Sequence, residues 1–300
     1  MTNTTTGVRA PSLPALSFLV LFLILLAGGC SDGGERLVTG GTGDDAGDGS
    51  GKPAGRAGGG EDGLFVSVEF GGGFMPVGAA FRMVPSAAIY DDGTTLSPGA
   101  TIAIYPGPAV LPVTEGRIDD EQLRRLVEAA GAAGLLDGVD QDFGEPPVAD
   151  AATTTVTVVV DGEAHSTSVY ALQGAGERLS GVDEAQSQAR QEVRRFVDLV
   201  SATVTDAEGS AYVPDRYRLL PLPAEPAIDE VVEPDERRWP FPDVPLVEGE
   251  CTALAGQEAV ELRDALEDAT EITRWSADAG QTYVLAVRPV LPHEPDCPPQ

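Results

Sequence analysis

Three cysteines, two histidines and a large excess of carboxylates are the side chains in this sequence with chemistry to offer. Cys30, Cys251 and Cys297 are the only cysteines, and His165 and His293 the only histidines. Two histidines cannot build a multi-histidine zinc site, and they leave little for a hydrolase triad. No Gly-x-Ser-x-Gly elbow, the turn that exposes a nucleophilic serine, occurs. Carboxylates number 48, so an acid–base pair picked from spacing alone would be arbitrary. Asp44, Asp45 and Asp48 miss the alternating ligand positions of a calcium loop and no glutamate closes it, which leaves a solvated acidic spacer. Three glycine-rich stretches brush against nucleotide motifs. Residues 58–63 satisfy GxGxxG but precede a strand instead of following one; residues 174–179 have Leu179 in place of the third glycine; residues 47–52 run into Pro53 where a P-loop needs a hydroxyl. No metal and no cofactor is expected.

Cys30 closes a three-part N-terminus: a polar start with Arg9, an apolar run from Leu16 to Ala27, and the small residues Ala27-Gly28-Gly29. That is the layout of an export signal. The apolar run is short for a hydrocarbon core of about 30 Å, and Gly/Asp-rich sequence follows it instead of a positively charged stop. The stretch Leu26-Ala27-Gly28-Gly29-Cys30 resembles the lipobox of bacterial lipoproteins, with leucine one position farther from the cysteine than is commonest. The resemblance implies removal of the signal peptide, residues 1–29, and a palmitate-type diacylglyceryl anchor on Cys30. Two acyl chains hold a soluble domain where one would be marginal. The expected location is the extracytoplasmic face of the cell membrane, with the lipid bilayer as the partner of Cys30. Cys251 and Cys297 then remain as an even pair in an oxidising compartment and are expected to be bonded. Closing so long a loop is worth roughly 4 kcal/mol on chain entropy.

The net charge of -29 and pI near 4.1 argue against nucleic acid, whose phosphates require Lys/Arg surfaces, and equally against anionic lipid as a partner for the folded part. Solubility outside the cell is sufficient reason for the acidity. Lys52 is the only lysine and Asn3 the only asparagine, a composition typical of a GC-rich genome that carries no mechanism.

The elements that must position any site follow from periodicity. Residues 30–63 are low in large apolar side chains and are expected to be a disordered tether with a root-mean-square span of about 30 Å. An α+β domain is expected over residues 64–206. It opens with a strand at Leu64 to Phe70, then a hairpin in which Ala87 to Tyr90 and Thr94 to Leu96 flank Asp91-Asp92-Gly93, a type I′ signal. A further strand is expected from Gly99 to Tyr105. Asp119 to Gln122 caps a helix with Leu123, Leu126, Val127 and Ala130 on one stripe. Thr153 to Val160 and Glu163 to Tyr170 flank the two-residue turn Asp161-Gly162, which sets Val160 opposite Glu163, Val158 opposite His165 and Val156 opposite Thr167. Thr155, Thr157, Ser166 and Ser168 then share the polar face. A long helix from Asp183 to Val204 supplies a cover, so the fold class is an antiparallel sheet of hairpins covered on one face by two helices. Eight prolines between Tyr212 and Val247 predict an extended connector over residues 207–249, without a central strand. Residues 250–300 form a small disulfide-stapled αβ segment, a helix from Gly256 to Ala269 and a strand from Gln281 to Val290.

The pattern Ile89-Tyr90-Asp91-Asp92-Gly93, the helix from Glu121-Gln122-Leu123 to Gly134-Leu135-Leu136, Asp150 with Thr153-Thr154-Thr155-Val156, and the Asp161-Gly162 hairpin together resemble an uncharacterised domain of secreted bacterial lipoproteins. The resemblance spans residues 64–206 and rests on turn and packing residues. It implies the fold and the compartment and transfers no catalytic residue.

Asp150 and the threonines beside it are expected in a turn that bonds its own backbone. His165 is expected half-buried and hydrogen-bonded, and His293 in a surface loop beside the disulfide. The functional expectation is a non-catalytic binding module that meets an envelope protein or wall component. The alternative is an extracytoplasmic enzyme using Asp/Glu acid–base chemistry on a cell-wall substrate, recognisable by a buried carboxylate pair in a cleft. A sheet covered on one side leaves no cavity between two lobes for a small molecule.

Overall fold

In a computed structural model of the chain, residues 55–60, 62–138, 141–173, 180–224, 232–277 and 280–297 are described. Seven strands form an antiparallel sheet: β1 (Leu64–Gly72), β2 (Ala87–Tyr90), β3 (Thr94–Pro98), β4 (Val113–Arg117), β5 (Ala152–Val160), β6 (Glu163–Tyr170) and β7 (Gly209–Ala211), in the order β6-β5-β1-β2-β3-β4-β7. Helix α1 (Val77–Arg82) follows β1, α2 (Asp120–Ala132) follows β4, and α3 (Glu184–Asp206) joins β6 to β7. A second sheet has the order β10-β8-β12-β11-β9, from β8 (Arg216–Pro223), β9 (Glu236–Arg238), β10 (Thr252–Ala255), β11 (Arg274–Ser276) and β12 (Thr282–Pro289), with α4 (Gln257–Leu266) between β10 and β11. The fold is α+β, and no helix among the described residues is long and apolar enough to cross a membrane.

Local chemistry explains the first sheet. Asp161 and Gly162 both have positive φ, 52° and 79°, the type I′ geometry that joins β5 to β6 with the expected register, Val160 to Glu163 through Val156 to Thr167. Thr155 and Thr157 hydrogen-bond Ser168 and Ser166 across the polar face. Both helices begin with full capping boxes, Asp119 with Gln122 and Asp183 with Gln186. Leu123, Leu126, Val127 and Ala130 of α2 and Val193, Phe196, Val197 and Val200 of α3 join one buried cluster with Phe65, Val66, Ile89, Val156 and Val158. A register shift at the start of β1 lets the neighbours Phe65 and Val66 both enter that cluster.

Four expectations are corrected. The β2–β3 turn is not type I′: Gly93 N donates to Tyr90 O and only Gly93 has positive φ, which makes a three-residue loop with its glycine in the left-handed position. Residues 99–105 are loop, and the strand pairing with β3 is β4. Residues 55–60 and 62–63 are not tether, because Gly58 N bonds Val159 O, Asp161 N bonds Arg56 O and Asp91 N bonds Gly63 O, so this glycine stretch straps both hairpin turns. The rest of residues 30–63 lies outside the described residues. The centre of the sheet is not one-sided either, since Ala88, Tyr90, Leu96 and Val113 form a second cluster with Leu291.

Proline did not exclude an inner strand, which overturns the connector reading for residues 216–223. β8 lies between β10 and β12. Val290 N donates to Arg216 O at 3.0 Å, so Arg218, Leu220 and Leu222 are the positions that bond toward β12. Pro221 and Pro223 occupy the alternate positions, facing the other way, where β10 has already ended opposite Leu219. Gly249 N takes the carbonyl of Pro221 there. No ladder bond is lost.

Candidate functional site

Two places gather the chemistry-bearing side chains. The first is a groove between α2 and the tip of the β5–β6 hairpin. Val127, Glu128 and Gly131 of α2, with Leu136, Asp137 and Gly138 just after it, face Val160, Asp161, Glu163 and His165 across a cleft of about 550 Å³, with Gly55 on the rim. Capping and the type I′ turn fix the two walls, and the missing side chain of Gly131 opens the space between them. A second hollow of about 530 Å³ shares Gly55, Val127 and Glu128 and continues along α2 past Leu123 to Asp91, Asp120, Arg56 and Arg124. Among the described residues the His165 end is lined by four exposed carboxylates over an apolar floor and by no arginine or lysine, with Arg124 4.0 Å from Glu128 beyond its edge. That surface repels anions and favours an extended, cationic ligand with some apolar body.

The second place is the junction of the two sheets. Glu294, in the segment after β12, accepts from Arg288 and from Leu291 N at 2.9 Å, and lies 3.7 Å from Arg218. Arg288 also donates to Met83 O at 2.5 Å, and Arg218 stands over the Phe81 ring. Beside them the Tyr90 hydroxyl meets His293 Nδ1 at 2.8 Å. Burial first, then Tyr212 and Glu294, push the Tyr90 phenol well above its ordinary range, so it stays protonated. Burial also lowers His293, against the opposing pull of Glu294, Glu69 and Asp62. The neutral ring then accepts from Tyr90 at Nδ1, which assigns its proton to Nε2, a buried atom without a partner among the described residues. A protonated phenol and a half-buried neutral imidazole, with the nearby carboxylate held by arginines, pack as one hydrogen-bonded unit.

No protein-family model, curated protein or solved structure matches this chain.

Cys251 and Cys297 are bonded, with their Cα atoms 5.9 Å apart. His165 lies opposite Val158 as expected and lines the groove. His293 lies in a loop that ends at the disulfide, as expected, but is half-buried, because Leu291 packs against Ala88, Tyr90 and Leu96 and the His293 ring meets the Tyr90 hydroxyl. The structure therefore keeps the two histidines in separate places. Asp150 sits in a turn at φ 53° just before β5. Cys30, Asp44, Asp45, Asp48 and residues 47–52 and 174–179 lie outside the described residues. Among the described residues no group of three His, Cys, Asp or Glu side chains is arranged to hold a metal ion. Sequence reasoning missed Glu128 and Gly131, whose only signal was their place one position beside the buried stripe of α2, and Asp137, which lies past the end of that helix. It also missed Arg190, buried within that stripe on α3, which donates to the carbonyls of Phe143, Tyr170 and Ala171.

The His293 geometry fixes a pH dependence. A histidine whose folded pKa falls below its ordinary 6.5 contributes stability that is complete above that value. The contribution is lost as pH falls through 6.5 toward the folded value, because the unfolded chain binds the extra proton first. Urea melts from about pH 8 to about pH 5 should therefore show a larger loss for the native chain than for His293→Gln. Parallel curves for the two would contradict the burial of a neutral ring.

Proposed function

We infer that this chain is a lipid-anchored extracytoplasmic lipoprotein, held by Cys30, whose α2 groove binds a cationic segment of an envelope protein or wall component without catalysis. α2 and α3, as the cover of one face of the larger sheet, give the groove a rigid wall. The observation that carries the reading is the groove itself, four carboxylates and His165 around an apolar floor of Val127, Leu136 and Val160. Against acid–base catalysis stands the exposure of those carboxylates, which face water and lack the shielding that tunes a catalytic acid.

The test is photo-crosslinking in cells from a reactive side chain placed at Glu163. A Cβ built on Gly131 meets only Leu136 Cδ1, at 3.9 Å, so Gly131→Leu carries its side chain into the groove from an uncrowded Cβ and favours the helix by about 1 kcal/mol. A crosslink lost in Gly131→Leu and weakened by high salt supports the reading, and one indifferent to both overturns it. Fatty-acid labelling of the native chain but not of Cys30→Ala tests the anchor separately.

A further inference from the structure

We propose that the β1–α1 loop and the β3–β4 loop together form a face that rests in the interfacial layer of the bilayer to which Cys30 anchors the chain. This rests on the lipid-anchor reading. From Phe70 to Thr114 the only charged residues are Arg82, Asp91 and Asp92, in a chain that is 22% charged overall. Within this stretch, residues 71–77, from the end of β1 through the loop to the first residue of α1, and the loop 99–108 carry no charge at all. The most exposed large apolar side chains among the described residues sit in them: Phe74 at 96 %, Ile102 at 73 %, Val77 at 67 % and Tyr105 at 64 %.

Register brings the two loops to one end of the molecule. β1 and β3 both run antiparallel to β2, so their C-terminal ends leave the sheet on the same side. Glu271 then ties them together, accepting from Arg82 Nη1 at 2.6 Å behind the first loop and from Gly107 N at 3.0 Å in the second. Aromatic and aliphatic side chains on such loops suit the headgroup boundary, where a ring finds apolar surface on one side and water on the other. A second copy of the chain is disfavoured because a net charge of -29 opposes self-association.

The anchor reaches. The described chain begins at Gly55, beside Val160 and Asp161, whereas the loops leave at the Ala152 end of β5. Nine residues of strand put those ends about 30 Å apart. A flexible chain as long as residues 30–54 would have a root-mean-square span of about 28 Å. That matches the distance the tether must climb when the far end of the domain touches the bilayer.

Tryptophan reporters in the full chain test the proposal, using phosphatidylcholine vesicles with brominated acyl chains. Trp239 and Trp275 are buried and give a constant background. Phe74→Trp and Tyr105→Trp should lose most of the added emission to the bromines and shift to the blue, while Val260→Trp on α4 should not change. Absence of quenching at both loop positions overturns the proposal, as does quenching of all three alike. A concentration-dependent dimer that loses its association in Phe74→Asp, with unquenched loops, overturns it in favour of a second copy. The mass of Cys30 is read on the same samples. An acylated but unquenched chain removes the docking face and keeps the anchor, and a quenched but unacylated chain does the reverse.

Discussion

Glu294→Ala should destabilise the fold by about 3–5 kcal/mol, the cost of breaking a buried ion pair by removing one partner. The side chains of Arg288, Arg218 and Glu294 are only 6%, 11% and 11% exposed. The arginines stand directly opposite each other on β12 and β8, so without the carboxylate two guanidinium groups face one another in a poorly solvated seam. Burial and the neighbouring Arg288 already lower Arg218, while Glu294 pulls it back up. Leu291 N also loses its acceptor. For a chain of this size the loss corresponds to a fall in Tm of roughly 10 °C. Calorimetry on the native chain and the variant measures it, with Glu294→Gln falling between them. A triple change, Arg218→Met with Arg288→Met and Glu294→Leu, should recover most of the loss, because a packed apolar seam needs no counter-charge. An unchanged Tm in Glu294→Ala would show that water already solvates the arginines.

Removing the disulfide, by Cys251→Ala with Cys297→Ala, should cost roughly 4 kcal/mol from the entropy of a closed loop with a sequence separation of 46. The loss should not simply add to that of Glu294→Ala. Cys297 ends the segment that carries His293, Glu294 and Asp296, the last paired to Arg216 at 2.7 Å, so freeing the tail loosens the same contacts that Glu294 makes. The double cycle in urea is therefore expected to show a coupling of about 1 kcal/mol or more. Strict additivity would mean that the tail stays seated without its staple.

Both effects lie in the part of the chain least legible from sequence. The prolines between Tyr212 and Val247 read as connector, yet β8 became an inner strand, because what decides a proline's cost is which way its missing N–H points. Pairing parity sets that, and parity depends on a partner strand about 60 residues on. His293 read as surface for a similar reason. It stands between Pro292 and Glu294, and the packing of Leu291 against Ala88, Tyr90 and Leu96 with the bond to Tyr90 half-buries it. Arg190 lies on the apolar stripe of α3, where the carbonyls of Tyr170 and Ala171 at the C-terminal end of β6 and of Phe143 in the segment between α2 and β5 satisfy it.

What the sequence determined by itself is local. The Asp161-Gly162 turn set the register of β5 and β6, and Asp119 and Asp183 started the helices; the Cys251–Cys297 pair was expected only on the reading that Cys30 carries lipid. The turn and the caps follow from backbone sterics and from capping over three residues, and neither needs a distant partner. The tertiary structure alone decided the second cover on β2 and β3, the inner position of β8, the carboxylate groove between α2 and the hairpin tip, and the shared end of the two uncharged loops. Those features arise where surfaces far apart in sequence meet, and their energies depend on burial and pairing that no single segment encodes.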